Sequence, residues 1–252
     1  MIRWLMVPLA WALCFGAAPM ARAADPMNPA QVEQVEKVIR DYLLKNPELI
    51  IQAVRGLEER QKREASEMTR ELIGKHSKEL RQDPDSYVAG NPKGDVTIVE
   101  FFDYRCGYCK QVHPVVKNVL RADGKVRLVM KEFPVLGPES VAASRAAVAA
   151  FRGQRDKYFA FHDAMMERRG ALNEAVIMEI AAAVGLNVEK LKTDMKSAEV
   201  DRTLRENQKL AQTLGINGTP AFIIGDELVP GAIIDRQMMQ LIAQARQGCM
   251  TC

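Results

Sequence analysis

The sequence predicts an α/β protein: a mixed sheet covered by helices, preceded by an extended helical stalk. Three observations predict it. Two apolar runs, at 96–102 and 125–133, flank a single helical pattern and read as a βαβ unit. A strand pair at 221–229 and a final helix follow a long helical region. Residues 28–82 favour helix almost throughout, with an apolar stripe too narrow to bury itself.

The first residues read as an export signal. Arg3 supplies a positive start, Trp4 to Ala18 is an apolar stretch short for a membrane span, and Ala21-Arg22-Ala23 is a small-residue cleavage site. The signal spans 1–23 and the mature chain begins at Ala24, which discards Cys14. A retained membrane anchor is the alternative, and the cleavage site argues against it. Four cysteines remain, as two C-x-x-C pairs: Cys106 with Cys109, and Cys249 with Cys252. Export leads to an oxidising compartment, and the signal style points to a bacterial periplasm. Four cysteines are too few to staple the fold, and 48% hydrophobic residues suffice for an apolar core. A net charge of +3, spread along the chain, gives no reason to expect nucleic acid as a partner.

The stalk is expected over 24–86. Asn28-Pro29 starts one helix and Asn46-Pro47 starts a second. Val32, Val35, Val38, Ile39, Tyr42 and Leu43 recur at helical spacing, and Leu49, Ile50, Val54 and Leu57 carry the stripe on. Met68, Leu72, Ile73 and Leu80 resume it more thinly. Such a stripe needs a partner surface, either in an oligomerisation stalk or by folding back on the main domain. The charged stretch from Glu58 to Glu67 offers little for docking on a globular core, so we read a stalk.

A second unit is expected over 87–252. Its strand at 96–102 leads to a helix at about 107–121 that Gly124 ends. The strand at 125–133 follows, and then an insertion of helices over about 139–214, broken near Gly153, Gly170 and Gly185. Ala221 to Ile224 and Glu227 to Val229 pair around Gly225-Asp226, and a helix covers about 233–247. Pro114 lies inside the first of these helices and is expected to kink it. His113 is expected at the surface or as a helix cap, with Tyr104 and Arg105 flanking the site. Lys131 and Glu132 read as an ordinary strand-end charge pair.

The chemistry centres on Cys106-Gly107-Tyr108-Cys109, at the junction of strand and helix. Unpaired N–H groups and partial positive charge at a helix N-terminus favour thiolate, the form that attacks disulfides. Cys106 is the expected nucleophile, and Cys109, further in, resolves the mixed disulfide. Gly107 lets another backbone approach closely. Glu100 is a carboxylate in an otherwise apolar strand. Buried there it would have a raised pKa and serve as proton acceptor for Cys109, whereas at an edge it would be a surface charge. Thr219-Pro220 opens the later strand pair and offers backbone groups to an extended peptide. Cys249-Met250-Thr251-Cys252 is either a tail disulfide or an auxiliary dithiol that shuttles electrons or binds Cu(I).

Residues 88–245 resemble the thioredoxin-fold disulfide oxidoreductases of the DsbA type, on Glu100-Phe101-Phe102, the C-G-Y-C motif, Pro114, the helical insertion and Gly218-Thr219-Pro220-Ala221-Phe222. The resemblance implies a cis Pro220 that contacts substrate, with Gly107, Tyr108 and Thr219 beside it, and gives Glu100 the place of the family's buried acid. The leader, with Asp41-Tyr42-Leu43-Leu44-Lys45-Asn46-Pro47-Glu48, is similar to that of the ScsC proteins (suppressors of copper sensitivity), which include trimeric disulfide isomerases. The expectation is a periplasmic disulfide isomerase, a homotrimer without cofactor. It would act on misfolded exported proteins and be kept reduced by a membrane-bound reductase of the ScsB/DsbD type. A dithiol oxidase and a copper-binding protective protein are the alternatives.

Overall fold

The computed structural model describes residues 27–248 in two units, divided between Glu58 and Glu59. The signal at 1–23, Cys14 and the Cys249/Cys252 pair lie outside the described residues.

The first unit is helical. Helix α1 (Pro29–Lys45) starts at Asn28, whose side chain accepts from the Gln31 N–H while the Gln31 side chain accepts from the Asn28 N–H. This reciprocal cap, with Pro29 at the first helical position, fixes the start as expected. Asn46-Pro47 separates α1 from α2 (Glu48–Lys75). Helix α1 buries no residue. Val32, Val35, Val38, Ile39, Tyr42, Ile50, Val54 and Leu57 all stand exposed.

The second unit carries the sheet. A short helix α3 (Ser77–Arg81) leads to β1 (Tyr87–Gly90) and β2 (Val96–Phe102). Then come α4 (Gly107–Asp123) and β3 (Val126–Glu132). The insertion comprises α5 (Pro138–Gly153), a 3-10 turn (Arg155–Lys157), α6 (Tyr158–Glu167), α7 (Glu174–Ala183), α8 (Val188–Asp194) and α9 (Ala198–Thr213). Strands β4 (Ala221–Ile224) and β5 (Glu227–Pro230) and helix α10 (Asp235–Gly248) complete it. The sheet order is β1-β3-β2-β4-β5, with β2 and β3 parallel and the other pairs antiparallel. A parallel pair requires a crossover, which α4 supplies. Gly124 ends α4 at φ 69°, a left-handed cap that glycine takes without strain.

Alternation along β2 sorts the core. Ile98 and Phe102 join the cluster under α4, α5 and α6, whereas Val99 and Phe101 join a second cluster on the opposite face. Ile73 and Leu80, both fully buried, lie in that second cluster with Leu210, Leu214 and Ile223. Residues expected to belong wholly to the stalk thus form part of the sheet's packing. Among the described residues no helix is long and apolar enough to cross a membrane.

Two expectations change, and one strand was not expected at all. Strand β1 had no sequence signal. Lys131 and Glu132 do not pair with each other, because successive strand residues face opposite sides of the sheet. The Lys131 ammonium lies 2.5 Å from the Asp83 carboxylate and 2.8 Å from the Glu79 carbonyl. Glu132 instead accepts from Tyr104, Tyr158 and Ser144. His113 is buried, neither at the surface nor a cap, with Nε2 2.6 Å from Asp163 Oδ1.

Candidate active site

Sheet register brings the expected site residues together. Strand β2 runs out at Phe102, three residues before the Arg105-Cys106 step into α4. Antiparallel β4 begins at Ala221 opposite Phe101. The residues just before β4, Thr219 and Pro220, therefore lie at the same end of the sheet as Cys106. The Thr219-Pro220 peptide bond is cis. The Gly231 N–H donates to the Pro220 carbonyl at 2.8 Å, which ties this loop to the end of β5.

Cys106 is the N-cap of α4. Its Sγ accepts from the Cys109 N–H at 3.4 Å and lies 3.1 Å from the Thr219 carbonyl oxygen, to which the thiol form donates. Both cysteines are free thiols and buried, Cys109 completely. The hydrogen bond from the Cys109 side chain, with help from Thr219 and the Cys109 and Tyr108 N–H groups, outweighs burial and lowers the Cys106 pKa from 9.0 to about 5. Burial pushes the Cys109 thiol far up, and its bond to Cys106 adds to this. At neutral pH one sulfur is charged and the other holds its proton. Gly107 leaves open space where a side chain would stand, and Tyr108 is 66% exposed.

Glu100 shares the α4 face with Ile98 and Phe102 and is buried, not at an edge. Burial raises its pKa from 4.5 to about 8, and its charge acts on Cys109. A carboxyl titrating near 8 is mostly protonated at neutral pH, so only its ionised minority can take the Cys109 proton.

Two features escaped the sequence reading. Asp103, fully buried, accepts from the N–H groups of Arg105, Val135 and Leu136 and from the Ser140 hydroxyl, at 2.7–3.0 Å. It joins the turn before Cys106 to the loop after β3. Its place directly after an apolar strand, two residues before the N–H it accepts from, is an Asx-turn signal that could have marked it. Glu132 is the second, the centre of a buried network. Burial raises its pKa to about 8 against the bonds from Ser144, Tyr104 and Tyr158. The Tyr104 hydroxyl also meets His162 Nδ1 at 2.9 Å, so Tyr104 is fully buried in this network. Among the described residues no group of three or more His, Cys, Asp or Glu side chains is placed to hold a metal ion.

Comparison with known proteins agrees with this geometry. The DSBA-like thioredoxin domain matches residues 97–245, and the copper resistance protein ScsC N-terminal domain matches 31–64. A thioredoxin-like oxidoreductase from Silicibacter pomeroyi is 46% identical with a TM-score of 0.66, over 68% of this chain and 98% of that one. A linker-deletion variant of Proteus mirabilis ScsC is 26% identical with a TM-score of 0.67, over 88% of this chain and 98% of that one. The probable disulfide bond formation protein D of Bacillus anthracis is 26% identical over 150 residues, 55% of this chain and 69% of that protein. The chain also matches the Na(+)/H(+) antiporter NhaA 1 of Salinispora arenicola, 26% identical over 143 residues, but spans only 22% of that protein's length. With the thioredoxin-like fold and a match over more than half its length, the chain belongs to the DSBA-like thioredoxin domain family and carries an ScsC N-terminal domain ahead of it.

Proposed function

We propose that the protein is a periplasmic thiol-disulfide oxidoreductase that works as a disulfide isomerase. The observation that carries the chemistry is the Cys106 sulfur, held at a helix N-terminus and charged at neutral pH. Its thiolate attacks a disulfide of a misfolded exported protein. The substrate S–S bond breaks, a mixed disulfide with Cys106 forms, and the released substrate sulfur leaves as thiolate and takes a proton. If another substrate thiolate attacks the mixed disulfide, Cys106 is released and the substrate is rearranged with no net redox change. If Cys109 attacks, after passing its proton to Glu100 in its ionised form, the Cys106–Cys109 disulfide forms and the substrate leaves reduced. A membrane-bound reductase of the ScsB/DsbD type would then restore the dithiol. Thr219, Pro220, Gly107 and Tyr108 border the sulfur and would line the bound peptide.

The exposed apolar stripe of the first unit supports a homo-oligomer, which we take to be a trimer. Several thiolates around one substrate raise the effective concentration of attacking sulfur. One observation also favours a second reading, a dithiol oxidase. The charge on Cys106 stabilises the reduced protein, which makes the oxidised one a stronger oxidant. Refolding of scrambled ribonuclease, run beside light scattering, tests the proposal. We expect activity from the reduced protein, loss of it in Cys106→Ser, and a mass of several chains. Activity in Cys106→Ser refutes the nucleophile, and a monomer with oxidase activity only moves the assignment to the second reading. Cu(I) titration of the full chain against Cys249→Ser/Cys252→Ser tests the copper alternative for the tail.

A further inference from the structure

A groove of about 680 Å³ opens beside the nucleophile, and its wall includes Arg105 and Gly107, the residues on either side of Cys106. Its other side is the end of α6 and the turn after it, with Arg168 and Arg169. The groove is basic. Lys117 is answered by Asp163 and Glu167, and Arg105 by Glu139. Lys110 bonds to the carbonyls of Met165, Met166 and Arg168 at 2.8–3.3 Å and not to a carboxylate. Arg168 and Arg169 are exposed, and among the described residues no carboxylate pairs with either. Three cations without a carboxylate partner, set against one surplus carboxylate at Lys117, leave a net positive field in a concave surface that starts next to the reacting sulfur.

The chemistry of a partner follows from this placement. A polypeptide whose cysteine meets Cys106 and whose chain continues along the groove advances about 3.3 Å per extended residue, which brings its next few side chains along the wall toward Lys110 and the α6 end. A concave wall of one sign concentrates the opposite charge. Taking the oxidoreductase reading above as its basis, we infer that this groove seats an acidic segment of the substrate polypeptide, beside the cysteine under attack. Arg168 and Arg169 meet its carboxylates, and Lys110 holds the α6 end in place while adding charge. Substrates with Asp or Glu flanking a wrong disulfide are then attacked first.

Two measurements on the full chain test this. Labelled peptides carrying Ser at the cysteine position, flanked by Glu, by Gln or by Lys, are titrated by fluorescence anisotropy. The same peptides with Cys in a mixed disulfide with a chromogenic thiol report the rate of attack. We expect the Glu peptide to bind and react roughly three- to tenfold better than the Gln peptide at low ionic strength, with Lys weakest. The gap should close in Arg168→Ser/Arg169→Ser, and also in 1 M salt, where the screening length is about 3 Å. Equal binding of the Glu and Gln peptides overturns the inference, as does a Glu preference that survives the double substitution. Binding to phosphatidylglycerol vesicles that depends on the two arginines, without a Glu-peptide preference, assigns the surface to a membrane and also overturns it. Loss of reaction with every peptide while the anisotropy preference persists faults the thiol chemistry and leaves the groove assignment standing.

Discussion

Lowering the pH through the Cys106 titration should cost the reduced protein stability that the oxidised protein never had. The thiol falls from 9.0 to about 5 in the folded state. A depressed acid contributes its full stabilisation above the unfolded value, and loses it as pH falls through the folded value. At about 1.4 kcal/mol per pH unit the whole effect is ~5 kcal/mol. At pH 7, midway between the two values, ~2.7 kcal/mol of it is in place, and by pH 4 almost none is. These figures are ceilings, since water at the mouth of the site screens the charge. The disulfide form has no thiolate there, so the reduced-minus-oxidised difference isolates the sulfur from carboxylates that titrate alike in both forms. In a unit of this size ~2.7 kcal/mol corresponds to roughly 5–10 °C in Tm. Thermal unfolding of both redox forms at pH 4, 5.5 and 7, with thiolate absorbance near 240 nm, reads it. We expect the Tm difference to shrink toward low pH, with the absorbance titrating near 5. A difference flat across this range, or a thiolate that forms only above pH 8, would refute the assigned electrostatics.

Glu100→Gln should slow release of the mixed disulfide by Cys109 about 10–100-fold, read by trapping in gel shifts, while initial attack by Cys106 is spared. The variant should also be more stable near pH 7, by up to ~3 kcal/mol. The wild-type carboxyl, raised from 4.5 to about 8, is held protonated while the unfolded chain ionises. That gain should vanish at pH 4, and a gain independent of pH would count against the burial argument. Asp83→Asn should cost ~3–5 kcal/mol in urea unfolding, because it leaves the 1%-exposed Lys131 ammonium without its carboxylate. Adding Lys131→Met should recover most of that. A chain starting at residue 59 should fold as a monomer by light scattering. One starting at 83 should melt far lower, because it lacks Ile73 and Leu80, each worth ~2–5 kcal/mol of core packing.

What the sequence disclosed depended on whether the signal was local. The apolar run at 96–102, the thiol at a helix start and the turn at Gly225-Asp226 are written in consecutive residues, and the structure reproduces each. The breaks near Gly153, Gly170 and Gly185 are equally local and fall between helices as expected. β1 is only four residues, half of it partly exposed, and its place comes from pairing with β3 rather than from its own pattern. The partners of Glu132 lie 12 to 28 residues away along the chain, and Asp163 lies 50 from His113, so no spacing rule reveals them. Lys131 and Glu132 were misread for an avoidable reason. Neighbours on a strand face opposite sides, so two adjacent charges in a covered strand predict two separate buried partners.

The two sulfurs of the motif are set apart by one geometric fact, and this bears on which reaction the protein favours. Cys106 sits at the open end of α4, where N–H groups point at it, and Cys109 sits one turn inside, surrounded by core. The Cys109 proton supports the Cys106 charge, so attack on a substrate needs no prior proton transfer, whereas resolution does. Among the described residues the buried Glu100 carboxyl is the acceptor we assign. With a pKa near 8 it is mostly protonated at neutral pH, so few molecules can take the proton at any moment. On this reading we expect a mixed disulfide to form readily and to be resolved slowly. During that delay a second substrate thiolate has time to displace Cys106, which is the isomerisation route, and neighbouring chains on an apolar stalk would lengthen the encounter. The kinetic asymmetry between the two cysteines, more than the redox poise, is what we expect to separate isomerase from oxidase behaviour here.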